Sequence, residues 1–208
     1  MDELTTPATG SSGRSKEKSK SFNPRNITLQ AQKKLACSFP NQTKKLFMDD
    51  VSLQMLESLH KITHHFLASE KEAERKMRQF IKISIKFAIL HMNGFLSSRE
   101  EESMWECRDL LRSAASLFIK YTSHISYEAQ KAETIKELHK LMQDVGRLSQ
   151  EVLKGHLTPK NIRTIQSLAE FFSSTEFLTA LLSKHPPYQA LSNLLVTDLQ
   201  DLIDRGQF

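Results

Sequence analysis

Along this chain the apolar residues recur at helical spacing, and no run alternates with the period of two that a half-buried strand requires. A short amphipathic pattern opens at Ile27 and continues through Leu29, Ala31, Leu35 and Ala36 to a break at Pro40. It predicts a leading helix over 27–38, followed by a helical body over 43–208. Asp49–Asp50 can cap a helix running to about Ala68. Ser98-Arg-Glu-Glu101 reads as a capping box that opens a helix to about His124. Between 127 and 154, Leu138, Leu141, Val145, Leu148 and Val152 repeat at three- and four-residue intervals and stop at Gly155. Thr158–Pro159 starts another helix, because proline suits the first helical position. Ser173-Ser-Thr-Glu176 is a second capping box, and a last helix carries Leu191, Leu195, Leu199 and Leu202. The fold class is all-α.

Two helices hold charge in unusual places. In Arg75–Met92, Arg75, Arg78, Lys82 and Lys86 line one narrow stripe, while Met77, Phe80, Ile81, Ile83, Ile85, Phe87, Ala88, Leu90 and Met92 fill most of the remaining circumference. A helix apolar nearly all round belongs at the centre of a bundle. Its basic stripe then either snorkels to water or faces an anion, because an unpaired buried charge is costly. In the following helix Met104, Cys107, Leu111, Ala114, Ala115 and Phe118 form the core face, with Arg108 at its edge. An arginine there either pairs with a carboxylate of a neighbouring helix or binds phosphate at the mouth of a pocket.

Charge changes the picture at the N-terminal end. Residues 1–45 hold nine Lys/Arg against three acids, whereas the rest of the chain holds 20 basic and 21 acidic side chains. A basic leader on a neutral body points to an anionic partner met at one end. Residues 1–25, rich in Ser, Thr, Gly and Lys, are expected to be a disordered basic tail ahead of a domain over 26–208. The leader lacks the interleaved aromatics of a nucleic-acid binder, so no nucleic-acid partner is expected.

Candidate chemistry is sparse. The sequence contains no GxSxG, P-loop, GxGxxG or HExxH motif, so no catalytic residue is assigned and no enzyme is expected. His60, His64 and His65 lack an acidic or cysteine companion, and no metal site is expected. Cys37 and Cys107 fall in no CxxC or CxxH pattern and read as small core residues of a reduced protein. No signal peptide or spanning segment is expected.

Several stretches in order carry a resemblance: LQAQKKL (29–35), the acidic pair before a helix, FIKISIKFAILHMNG, HLTPK (156–160), FLTALL and LIDRG. Together they resemble the tumour necrosis factor alpha-induced protein 8 family, whose shared module is the TIPE homology domain. The resemblance implies an antiparallel, death-effector-domain-like bundle of about six helices around a large hydrophobic cavity, preceded by a short basic helix. It implies phosphoinositide binding or transfer in cell survival and inflammation, at a cytoplasmic site peripheral to the plasma membrane. Bound phospholipid or fatty acid takes the place of a cofactor. Lys33, Lys34, Lys82, Lys86 and Arg108 become the headgroup ligands, and Phe80, Ile83, Phe87, Leu111 and Phe118 the cavity lining. Met92 stands where family members often carry a basic residue. The expected partners are anionic membranes, met by a monomer. The other reading is a non-enzymatic adaptor for a small GTPase or an apoptosis signalling protein.

Overall fold

The computed structural model describes residues 22–36, 49–123 and 129–206. These form α1 (Pro24–Ala36), α2 (Asp50–Leu67), α3 (Glu70–Met92), α4 (Ser98–Ser123), α5 (Lys131–Leu153), α6 (Pro159–Ser173), α7 (Thr175–Leu181) and α8 (Tyr188–Asp204), with no strand among the described residues. The bundle is all-α as expected. Among the described residues seven helices follow α1, the short α7 being set off from α6 because Ser174 leaves helical geometry and caps α7 by accepting from Phe177 N.

Local chemistry sets most boundaries. Asp49 caps α2 through Ser52 N, as its acidic pair predicts. α3 starts five residues earlier than its apolar pattern suggested, because Ser69 caps it and Ala73 is fully buried. The α4 cap lies one residue before the expected box: Ser97 N and Oγ both donate to Glu100 Oε2 at 2.8 Å, and Glu100 N donates to Ser97 Oγ. At α7 the same shift moves the cap from Ser173 to Ser174. The expected tail over 1–25 is also too long. Phe22 stacks on His60 with ring centroids 4.0 Å apart, Asn23 Oδ1 accepts from Asn26 N, and Pro24 is buried at the start of α1. Residues 1–21, Cys37 and Pro40 lie outside the described residues.

Met77, Ile81 and Ile85 of α3 are at 0% exposure, in a core shared with Leu56 and Ile62 of α2, Phe118 of α4, Leu138 of α5, Phe172 of α6, Phe177 of α7 and Leu195 of α8. A second cluster gathers Leu90, Leu96, Val152, Leu153 and Ile165 at the C-terminal end of α3. There Gly94 takes φ +66°, a left-handed conformation that ends the helix and turns the chain into α4. α5 and α6 approach closely: a Cβ on Gly146 would sit 2.3 Å from Ala169 Cβ. α1 lies against α3 and α2 through Ile27 and Ala31, each 4% exposed. Burying an isoleucine in this way contributes roughly 1.5–3 kcal/mol. The Arg25–Asp50 ion pair beside it is exposed and adds little.

Candidate functional site

A cleft of about 510 Å³ opens between α1, α3 and the start of α6. Its apolar wall is Ala31, Ile83 and Leu157, and its basic groups are Lys82, Lys86, Lys160 and His156. Gln79, Lys82, Ile83 and Lys86 share one face of α3 because they recur at three- and four-residue steps. Lys86 is buried at 9% exposure, and burial lowers the pKa of its ammonium. Lys82 is exposed. No carboxylate lines this cleft among the described residues.

The basic stripe of α3 therefore divides. Arg75 pairs with Glu72, and Arg78 reaches Glu74 with Nη2 at 2.5 Å and Nε at 3.1 Å, so that half is neutralised on its own helix. The other half, Lys82 and Lys86, faces the cleft. From the opposite side comes the N-terminus of α6. Thr158 is its N-cap without a side-chain cap bond, Pro159 is the first helical residue, and Lys160 and Asn161 line the space. The end of a helix dipole favours negative charge there. At the rim, His156 Nε2 lies 3.2 Å from Glu100 Oε1, without the alignment of a hydrogen bond. The Ser97 backbone N–H, the Ser97 hydroxyl and then His156 hold the Glu100 carboxyl below its usual pKa. The arrangement suits an amphipathic anion, with phosphate at the lysines and an apolar portion against Ile83 and Leu157.

A second cleft of about 510 Å³ runs between α5 and α6. Its arginine is neutralised locally: Arg147 contacts Asp144 at 3.5 Å and Glu151 at 3.2 Å, and Gln166 donates to Glu170. It offers less to an anion.

The expected ligands scatter. Lys82 and Lys86 meet in the cleft. Lys33 is exposed on α1, sharing an outward face with Arg25 and the half-exposed Leu29, while the Lys34 side chain lies outside the described residues. Arg108 does not join the lysines: it sits on the exposed side of α4 with its guanidinium 5.2 Å from the Trp105 ring. Of the apolar set, Ile83 lines the cleft. Phe80 and Phe118 pack in the main core and Phe87 against the second cluster. Leu111 is 37% exposed, because the edge of α4 that carries it is left uncovered. Cys107 is buried and free, its thiol pKa pushed up by burial. His60 and His64 lie with ring centroids 6.4 Å apart, and no group of three ligands that could hold a metal occurs among the described residues. No described helix is long and apolar enough to cross a membrane. Lys160 and His156 were missed as site residues. Their signal was the Thr-Pro helix start inside HLTPK, which aims a lysine back at α3.

Residues 22–206 match the family model described as tumor necrosis factor alpha-induced protein 8-like. The chain is 27% identical to tumor necrosis factor alpha-induced protein 8 of Gallus gallus, over 89% of this chain and 96% of the relative. It is 25% identical to tumor necrosis factor alpha-induced protein 8-like protein 1 of Danio rerio, over 89% and 98%. Among solved structures, the C-terminal region of G-protein interacting protein 1 from Dictyostelium discoideum superposes with a TM-score of 0.66 at 15% identity, over 76% of this chain and 93% of that one. At that identity the likeness shows the fold alone.

Proposed function

We propose that this chain, which belongs to the tumor necrosis factor alpha-induced protein 8-like family, is a non-enzymatic binder of phosphoinositide-type lipids. Headgroup phosphates rest on Lys82, Lys86 and Lys160, and acyl carbon lies along Ala31, Ile83 and Leu157. The observation that carries this reading is Lys86, a lysine 9% exposed in the wall of an apolar cleft. The cleft volume falls within the range typical of small-molecule sites. Leu29 and Lys33 on the outward face of α1, beside the Asp50-paired Arg25, supply a contact to an anionic leaflet, an unneutralised basic residue there adding about 1 kcal/mol. The setting is cytoplasmic, at the membrane surface, in control of inflammation and cell survival.

The test is cosedimentation with phosphatidylcholine vesicles with and without a phosphatidylinositol bisphosphate. Wild type pellets with the phosphoinositide vesicles, and the double variant Lys82→Glu, Lys160→Glu stays in the supernatant. Equal pelleting of the two proteins, or none of wild type, overturns the reading. A second reading, adaptor binding to a signalling protein, is favoured by one feature: Trp105 is 44% exposed, with Arg108 stacked on it. Exposed Trp and Arg are the residue types that dominate protein interfaces. Loss of partner capture by Trp105→Ala, with lipid binding intact, would favour it.

A further inference from the structure

The room in the Lys82–Lys86–Lys160 cleft limits what can enter it, and that room is about 510 Å³. A methylene needs about the space of a water molecule, ~30 Å³, so one sixteen-carbon acyl chain takes ~480 Å³ and two take about twice that. One acyl chain therefore comes close to filling the cleft, and two exceed it. Among the described residues the packing beside the cleft leaves a second one no room. On the other side of α3, Met77, Ile81 and Ile85 are at 0% exposure and Ile89 at 1%. Next to them Phe66, Phe80, Phe171, Phe172 and Phe177 join in one ring cluster, with contacting centroids 5.0–5.9 Å apart. Carbon enters there only by displacing closely packed rings. The α5–α6 cleft offers apolar side chains only at Ile162 and Ala169, among glutamines and the paired Arg147.

The polar side of the cleft has its own preference. Lys86 is buried while Lys82 and Lys160 are exposed, so the basic groups run from the interior to the surface. Gln79 and Asn161 add amide donors, and no carboxylate lines the space among the described residues. A lysine meets phosphate as a point charge. Three of them favour a phosphomonoester, with a charge of about −1.5 to −2 near neutral pH, over a singly charged phosphodiester. We infer that the cleft is a site for a lipid of one acyl chain ending in a phosphomonoester, the lysophosphatidate class, held whole. The inference rests on the lipid-binding reading above and narrows it: the acyl carbon along Ala31, Ile83 and Leu157 is a single chain. A two-chain phosphoinositide meets the same lysines from the bilayer, and its acyl chains stay there.

The experiment titrates the full-length protein with octanoyl, dodecanoyl, hexadecanoyl and eicosanoyl lysophosphatidate, each below its micelle concentration, by isothermal titration calorimetry. Affinity is expected to rise about two- to fourfold per methylene and to level off at about sixteen carbons, where the cleft is full. Native mass spectrometry finds one lipid per protein. Two controls separate the parts of the ligand: glycerol 3-phosphate has the phosphate without an acyl chain, and palmitate the acyl chain without the phosphate. Each binds at least about tenfold more weakly than hexadecanoyl lysophosphatidate. Thr164→Trp, which takes up cleft space from α6, moves the plateau to shorter acyl chains, and Lys82→Glu weakens the phosphate probes more than palmitate. Thermal melts establish that both variants are folded. A flat series across the four lipids overturns the single-chain inference and leaves lipid binding in place. The same holds if a two-chain phosphatidylinositol bisphosphate is recovered one to one with the protein after its separation from phosphatidylcholine vesicles, or if those vesicles bind and lysophosphatidate does not. No binding of lysophosphatidate or of the vesicles overturns both.

Discussion

Lys86 separates a group kept for a ligand from one kept for stability. Replacing it with methionine keeps the unbranched apolar stem and drops only the terminal ammonium, so the packing against α3's neighbours is largely conserved. What is removed is an ammonium at 9% exposure whose pKa is lowered by burial. A lowered lysine pKa means that folding disfavours the charged form. The penalty is therefore present at neutral pH and fades as pH rises toward the ordinary lysine value of 10.5. Relieving it favours the folded chain and losing the ammonium's own contact opposes this, so the net change at neutral pH stays within about 1 kcal/mol. For a chain of this size that keeps the Tm shift within about 2–4 °C at pH near neutral, and any gain shrinks in alkaline buffer. Differential scanning calorimetry at several pH values reads the first effect. Phosphoinositide-vesicle binding of the same samples reads the second, expected to fall about fivefold for the loss of one lysine contact. A fall in Tm with unchanged binding would refute the reasoning and make Lys86 a structural residue.

Three further outcomes follow from the packing and the caps. Gly146→Ala places a Cβ 2.3 Å from Ala169 Cβ, a methyl that cannot rotate away, so chemical denaturation should show a loss of about 1–3 kcal/mol. Ser97→Ala costs about 1 kcal/mol in the same assay and Ser98→Ala much less, because the α4 cap belongs to Ser97. His60 has its pKa lowered by burial and then by His64, so the folded state resists protonation and stability declines as pH falls below 6.5. Thermal melts of wild type and His60→Gln between neutral and mildly acidic buffer should converge as pH falls.

Helix existence was legible from periodicity alone, since a buried stripe repeats whatever it packs against. Boundaries were less so. Ser97 and Ser98 are equally good caps by composition, each with a glutamate three residues on, and only the folded bonds between Ser97 and Glu100 decide between them. The start of α3 was hidden by Glu70, Glu72 and Glu74, which carry no apolar signal although Ala73 among them is buried. The site was half legible. Lys82 and Lys86 lie one turn apart, so their alignment is a property of α3 itself. Lys160 and His156 reach them through tertiary packing of α6 on α3, which no local pattern encodes. Arg108 shows the converse limit: helical spacing puts Trp105 beside it, three residues earlier on α4, but does not say which side of α4 the bundle covers, and Arg108 lies on the exposed side.

The thirteen residues of α1 carry a dynamic consequence. A helix that short is marginal on its own in water, so α1 holds its shape through the burial of Pro24, Ile27 and Ala31 against the bundle. Lifting it from the cleft and melting it are then one cooperative event rather than a hinge motion. Its backbone amides should exchange with solvent deuterium as a single group, at a rate set by one local opening equilibrium. That rate is a direct clock for how often the wall formed by Ala31 is withdrawn and the lysines of α3 are laid open.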